Sequence, residues 1–333
     1  MEEKLFVVGI ISGIYLFLTE HFKDKNKFLD KEFVLKWHRV FLAMAGFIVG
    51  FLLMVIIDNR MGEIVTASFI TLKQFMFAIL FSLIGYLYTY TPFFHPDLKI
   101  DEKTKLPKII KIDREWGDTF FSAFLIASIV MYSLLQAFKI PSGSMRNTLL
   151  EGDHLFVNKL VYGIKIPFTD KKILKLKEIK RGDIIVFRFP TEDPDEYQCG
   201  GKQYGKDFVK RVIGLPGEKI EIKNGIPFIN GVAIGIEKYA NYTDPKRIPY
   251  DNSSIDPKVF QELWEKRQTG KSFSDLIRDN FGPVIVPPNS YFVLGDNRDR
   301  SCDSRYWGPV PEKYIKGSPL FIYWPPSRMG FVK

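Results

Sequence analysis

Nucleophilic attack on a carbonyl needs a side chain that can be activated and a group that takes its proton, so the histidines and cysteines come first. The chain holds four histidines, His21, His38, His95 and His154. Three of them lie among long apolar runs, and His154 sits beside a strand-like stretch, where a structural or surface role is the simpler reading. Cys199 and Cys302 stand alone, without the paired spacing of a zinc site. Histidine-based nucleophilic catalysis and metal-assisted hydrolysis both lose support, and no metal or cofactor is expected. What remains is a serine paired with a lysine. A neutral lysine can deprotonate a serine, but bringing its pKa from about 10.4 to 7–8 costs roughly 4 kcal/mol, which desolvation can supply. Lys210, within Phe208-Val209-Lys210-Arg211-Val212-Ile213, fits that need, although on composition alone an exposed strand lysine is the ordinary reading.

Such a pair must be held by something. The 333 residues include 47 Lys and Arg, 38 Asp and Glu and two Cys, and the mean hydropathy is −0.04. The length suggests about two domains. So few cysteines exclude a disulfide-framed scaffold, and 46% hydrophobic residues exclude global disorder. The average conceals two unlike halves. Residues 1–140 carry a net +2 and residues 141–333 a net +7, so most of the +9 is spread over the second half, where a solvated face is the simpler reading and a surface close to anionic lipid the sharper one.

Four uncharged runs stand out in the first half: 5–19, 40–57, 74–90 and 119–138. A bilayer core of about 30 Å needs about 20 helical residues, and four such runs within 140 residues predict four membrane spans. The first follows Met-Glu-Glu-Lys, a poor basic leader, and no small-x-small cleavage site follows it, so it is read as a span too. Segments 20–39 and 91–118 each hold six Lys or Arg, whereas 58–73 holds two. The positive-inside rule places the two basic loops in the cytoplasm, both termini outside, and residues 141–333 on the outer (periplasmic) face.

The second half reads as short strands with Gly and Pro punctuation, a mainly β, antiparallel, barrel-like domain. Strands are expected over 184–189, 208–213, 219–222 and 290–294, with a hairpin turn at Asn224-Gly225. A helix capped by Asp256, with Pro257 at its first position, runs toward Gln268. A capping box, Ser272-x-x-Asp275, opens a second helix that ends near Gly282. Segment 240–285 is thus an inserted, partly helical cap. Asn241-Tyr242-Thr243 and Asn252-Ser253-Ser254 fit the glycosylation pattern but would stay bare in a bacterial setting.

Motifs change the odds for Lys210. Pro141-Ser142-Gly143-Ser144-Met145 follows the fourth run directly. Arg181-Gly182-Asp183-Ile184-Ile185-Val186-Phe187 comes next, then Asp207-Phe208-Val209-Lys210-Arg211-Val212-Ile213-Gly214-Leu215-Pro216-Gly217. Last is Gly295-Asp296-Asn297-Arg298-Asp299-Arg300-Ser301-Cys302-Asp303-Ser304-Arg305-Tyr306-Trp307-Gly308. In this order, over roughly residues 138–325, they resemble the type I bacterial signal peptidases (leader peptidases), membrane-bound serine endopeptidases with a Ser/Lys dyad. The resemblance implies that Ser144 is the nucleophile and Lys210 the general base. It implies that Ser142 and the Ser144 N–H bind the oxyanion, and that Ser301 orients the lysine amine. Asp303 and Arg305 would form a supporting ion pair, with Gly295 and Asp296 as the turn behind the site. Ile140, Pro141, Met145, Leu149, Asp207, Phe208 and Val209 match positions lining the substrate groove. The substrates so implied are exported preproteins, cleaved after small-x-small motifs at the bacterial inner membrane, near lipid and the secretion translocon.

Three departures stand out. Asn147 occupies a position where the family often has proline, Phe208-Val209 replaces a common Tyr-Ile, and four spans replace the usual one or two. Cys302 adjoins Ser301, where a small packing residue is the simpler reading and a reactive thiol the sharper one; pairing with Cys199 stays open. Two other readings compete. A soluble self-cleaving repressor-type Ser/Lys protease would lack the 119–138 run, and a non-cleaving membrane scaffold would not need Ser142, Ser144, Lys210 and Ser301 together.

Overall fold

The computed structural model describes residues 2–21, 28, 30–60, 72–166, 169, 171–235, 237–249 and 255–332. Segment 22–27, with Lys23, Lys25 and Lys27, lies outside the described residues, as does Asn252-Ser253-Ser254. The chain divides into two compact units, Met1–Tyr132 and Ser133–Lys333.

The first unit holds four helices, α1 (Glu2–His21), α2 (Lys31–Arg60), α3 (Leu72–Tyr88) and α4 (Lys108–Ile129). Stretches Lys4–His21, Lys31–Ile57 and Lys108–Leu134 are long and apolar enough to cross a membrane. The third helix is shorter, at 17 residues, or about 25 Å at 1.5 Å per residue. Each helix departs from its apolar run by extending past it or stopping short, because charged residues continue a helix at no backbone cost. Helices α2 and α3 pack backbone to backbone. A Cβ at Gly46 would come within 2.5 Å of the Phe81 carbonyl oxygen, and one at Gly85 within 2.5 Å of that of Leu42. Small residues at these positions let the two helices approach this closely. Tyr15 of α1 stacks on Phe121 of α4 at 4.0 Å, and His38 of α2 pairs with Asp113 of α4 at 2.8 Å.

The fourth run is where composition misleads. Helix α4 begins at Lys108, passes through a π-helical turn, Val130–Leu134, and gives way to a strand, Leu135–Lys139. The last residues of the expected span are therefore part of the second unit, paired in antiparallel register from Leu135↔Asn158 to Lys139↔His154. An apolar run cannot by itself distinguish helix from buried strand, and the deciding partner lies farther along the chain.

The second unit is antiparallel β. Its eight-stranded sheet runs, in order, Leu135–Lys139, His154–Asn158, Ile315–Trp324, Ile184–Arg188, Asp207–Gly214, Ser290–Leu294 and Val310–Pro311, with Gly330–Phe331 added to Ile315–Trp324. A second sheet joins Val232–Ala233, Ile226–Ile229, Lys219–Lys223 and Phe281–Ile285. The expected strands fall within a residue or two of these bounds. Lys223 pairs with Ile226 across Asn224-Gly225, where both residues have positive φ, 50° and 81°. That is the primed turn that matches strand twist.

Helix α5 (Pro257–Glu265) has the expected Asp256 cap, which accepts from the Lys258 N–H, and it buries Phe260 and Trp264. It ends earlier than expected, and after Gln268 a separate short helix, Thr269–Phe273, contains Gly270. Ser272 lies inside that helix, so the expected capping box does not open one; Ser274–Ile277 is a 3-10 turn, and Gly282 sits in a strand at φ 86°. Asp275 thus belongs to a tight turn, and segment 255–285 contributes an edge strand as well as helices.

Candidate active site

The nucleophile candidate stands on a short turn. After the Leu135–Lys139 strand, Ser142 is still extended, and Gly143–Met145 forms one turn of 3-10 helix. The turn is pinned on both sides. Ile140 and residues 152–153 exchange backbone hydrogen bonds, the Asp153 carbonyl accepting at 2.8 Å and the Gly152 N–H donating at 2.9 Å. Met145 is buried among Ile140, Leu155, Val157 and Val186. Asn147, at φ 94°, turns the chain away; proline, fixed near −65°, could not take that conformation. The departure at this position therefore has a backbone reason.

Lys210 stands on the central Asp207–Gly214 strand, opposite Ile185, and is 3% exposed. Its Nζ lies 2.7 Å from Ser144 Oγ and 3.1 Å from the Val209 carbonyl, and 5.4 Å from the centre of the Phe208 ring. Burial holds its pKa down, to about 8, against the Asp303 and Asp296 carboxylates, which favour the charged form; the Arg305 guanidinium opposes it. A lysine ordinarily near 10.4 is thus brought close to the range where a general base works.

Behind the pair are two buried ion pairs. Asp303 receives Arg305 through Nε and Nη2, both at 2.8 Å, and accepts from the Gly295 N–H at 3.1 Å. Arg305 also donates to the carbonyls of Arg278 and Arg298. The second pair was not anticipated. Asp296, expected as a turn residue, is wholly buried and receives Arg211 through Nε and Nη2, again both at 2.8 Å. Thr148 Oγ1 donates to the same carboxylate at 2.5 Å, and Tyr239 stacks under the guanidinium at 3.8 Å. Arg211 neighbours Lys210 on its strand, Thr148 follows Ser144 by four residues, and Asp296 belongs to the last motif, so three motifs are locked together. The signal was present: Lys-Arg inside an apolar strand leaves two adjacent cations to be satisfied.

Gly295 has a steric role. A Cβ there would fall 2.5 Å from the Ser144 carbonyl oxygen and 2.2 Å from Ser301 Oγ. Asn297, also not singled out, takes up the turn's carbonyls, its N–H donating to Ser144 at 3.0 Å and its Nδ2 to Gly143 at 3.3 Å. The inserted segment closes from the other side: the Asn241 N–H donates to the Asp296 carbonyl at 2.7 Å, and the Asn241 carbonyl accepts from the Arg298 N–H at 2.9 Å. Asp299 accepts the Asp244 N–H at 2.7 Å and Arg247 Nη1 at 3.2 Å.

A cleft of about 570 Å³ opens onto the dyad. Ile140, Pro141, Ser142, Ser144, Met145, Asp207, Phe208, Val209 and Lys210 all line it. Leu149, expected there, does not; it is fully buried in the core cluster that also holds Met145. Asp207 is tied to Lys316 at 2.9 Å. Two strand edges face the cleft. Asp207, Phe208 and Val209 pair on one side with Arg188, Phe187 and Val186, whereas the neighbouring Ser290–Leu294 strand pairs only from Arg211 onward. Leu135–Lys139 pairs only with His154–Asn158 among the described residues. Ser301 differs from expectation: its Oγ is buried and makes no hydrogen bond among the described residues, and the amine donates to the Val209 carbonyl instead. Cys302 is neither a packing thiol nor a reactive one, because it is bonded to Cys199 across 103 residues. His154 stands apart from the cleft, against Tyr323.

The sequence profile described as "Signal peptidase, peptidase S26" matches residues 113–324. Signal peptidase I of Pseudomonas fluorescens is 34% identical over 263 residues, 72% of this chain and 84% of that protein. Signal peptidase I of Buchnera aphidicola subsp. Schizaphis graminum is 35% identical over 239 residues, 62% of this chain and 72% of that protein. A solved signal peptidase I from Enterococcus faecalis V583 shares 31% identity over 43% of this chain and 97% of its own, with a TM-score of 0.25. The chain belongs to the signal peptidase family, peptidase S26, and is a serine endopeptidase of that family.

Proposed function

We propose that the chain removes signal peptides from exported preproteins at the bacterial inner membrane, with Ser144 as nucleophile and Lys210 as general base. The observation that carries this reading is the 2.7 Å approach of Lys210 Nζ to Ser144 Oγ at the floor of an open cleft. In the neutral form the amine accepts the Ser144 proton as Oγ attacks the scissile carbonyl. The Ser142 hydroxyl and the Ser144 N–H take the developing oxyanion, a donor of this kind being worth about 10²–10³ in rate. The protonated amine then gives its proton to the leaving nitrogen, and the neutral amine activates the water that hydrolyses the acyl-enzyme.

The substrate lies extended between the two free strand edges, in the mode of strand addition. Phe138, Ile140, Met145, Phe208 and Val209 leave shallow apolar walls that admit small side chains and reject larger ones by clash, which suits a small-x-small motif. Helices α1 to α4 are the membrane anchor. The basic loops lie inside and residues 141–333 outside, close to lipid and to the translocon that delivers preproteins.

The deciding experiment is preprotein cleavage in detergent, where Ser144→Ala and Lys210→Ala each abolish activity; full activity in either variant refutes the dyad. A periplasm-dependent reporter fused at the C-terminus is active if the orientation is right and silent if it is inverted.

A further inference from the structure

The cleft has an unbalanced charge. Of its lining acids, Glu151 is neutralised by Arg146, at 2.5 Å, and Asp207 by Lys316, at 2.9 Å. Three further lining cations, Lys139, Lys206 and Arg300, make no ion pair among the described residues. They come from separate places: the end of the Leu135–Lys139 strand, the approach to the Asp207–Gly214 strand, and the loop before Ser301. Cations left uncompensated around a concave site focus field into it and favour an anionic ligand group. The apolar walls already account for the small side chains of the cleavage motif, and nothing in that motif is acidic.

We infer that the cleft selects substrates carrying an acidic side chain close to the scissile bond, with Lys206 and Arg300 as the specificity-determining residues and Lys139 as a weaker contributor. The inference rests on the protease reading above and adds a charge preference to it. Lys206 is half-buried, so its charge is screened less than those of Lys139 and Arg300, which are both exposed. Arg300 offers a planar fork that matches a carboxylate in two-point fashion. A carboxylate seated near two such cations is worth roughly tenfold in kcat/KM at low salt, with the advantage shrinking as ionic strength rises.

The test uses the full-length protein in uncharged detergent, so that anionic lipid plays no part. Peptides with small residues before the cleavage point are compared in pairs that differ by Asp against Asn, placed in turn at each position flanking the scissile bond. At one or two positions the Asp peptide is expected to be cleaved about tenfold better at low salt. In the Lys206→Gln, Arg300→Gln double variant the Asp-to-Asn ratio falls toward one, and in Arg300→Glu a Lys-bearing peptide becomes the better substrate. The ratio within each variant is its own control for loss of general activity. Equal cleavage of every pair by the wild-type protein overturns the inference while leaving the protease reading intact. A preference that survives both variants overturns the assignment to these residues. Failure to cleave any peptide defeats the protease reading and this inference with it.

Discussion

Replacing Lys210 by methionine should make the protein inactive and more stable at once. The lysine is 3% exposed, and burial brings its pKa to about 8 from a reference of 10.5. The unfolded chain holds that proton up to about pH 10.4, whereas the folded site releases it above about 8. Between these values the unfolded state binds more protons, so stability rises with pH. Below pH 8 the whole penalty is present, and at 1.36 kcal/mol per pKa unit it comes to about 3 kcal/mol. A methionine of similar length carries no such penalty. Lys210→Met should therefore unfold later than the wild-type protein at pH 7, by roughly 5–10 °C for a domain of this size. The gap should narrow from pH 8 to pH 10.5, leaving a pH-independent remainder from the added apolar contact. The measurement is thermal unfolding of both full-length proteins in one detergent across that range. The same titration governs catalysis: wild-type kcat/KM should fall about tenfold per pH unit below 8 and level off above it. A stability gap that stays constant from pH 7 to 10.5, or a flat rate profile between pH 6 and 8.5, would refute the claim that burial poises this lysine.

Three further outcomes follow from the surrounding framework. Asp296→Ala leaves Arg211 buried without its carboxylate, which should cost about 3–5 kcal/mol in denaturant unfolding; it also removes a group that raises the Lys210 pKa, so residual activity should show its midpoint below pH 8. Gly295→Ala forces the backbone away from the Ser144 carbonyl oxygen, only 2.5 Å from the new Cβ, and kcat should fall on the order of 10²-fold with KM little changed in steady-state assays. Opening the Cys199–Cys302 link, by thiol reductant or by paired serine substitutions, releases a loop of 103 residues, and chain entropy puts the loss at about 4–5 kcal/mol in denaturant titrations.

What the sequence disclosed depended on how local each constraint is. Ser144 and Lys210 lie in short stretches whose neighbours set the backbone, and they stand 2.7 Å apart. The Asn224-Gly225 turn was equally readable, because two consecutive positive φ angles admit few residue types. Where the outcome hung on a remote partner, composition could not supply it. Leu135–Phe138 is as apolar as the helix before it and becomes a strand because residues 154–158 offer a ladder. Leu149 matches a groove position by family resemblance, yet the chain after Met145 buries it in the core. Asp296 resembles an ordinary Gly-Asp turn until Arg211, 85 residues upstream, is seen to fill its carboxylate. The cystine likewise depends on two residues brought to 5.8 Å between Cα atoms by everything in between.

The two ion pairs solve a conflict that the dyad creates. A neutral lysine requires an apolar, dehydrated setting, but the turn that positions Ser144 is built from polar backbone that must be satisfied. Asp303 and Asp296 satisfy or anchor that backbone, and as bare carboxylates so near Lys210 both would pull its proton back. Each is instead met by an arginine in two-point contact, Arg305 and Arg211, whose planar fork matches both carboxylate oxygens. The carboxylates can then organise the turn while much of their field is cancelled. Lysine in place of either arginine would provide a charge without the fork, and one able to shed its proton in the same dehydrated surroundings. Both buried pairs therefore serve the lysine's protonation state as much as the fold's rigidity, and the two purposes require the same residue type.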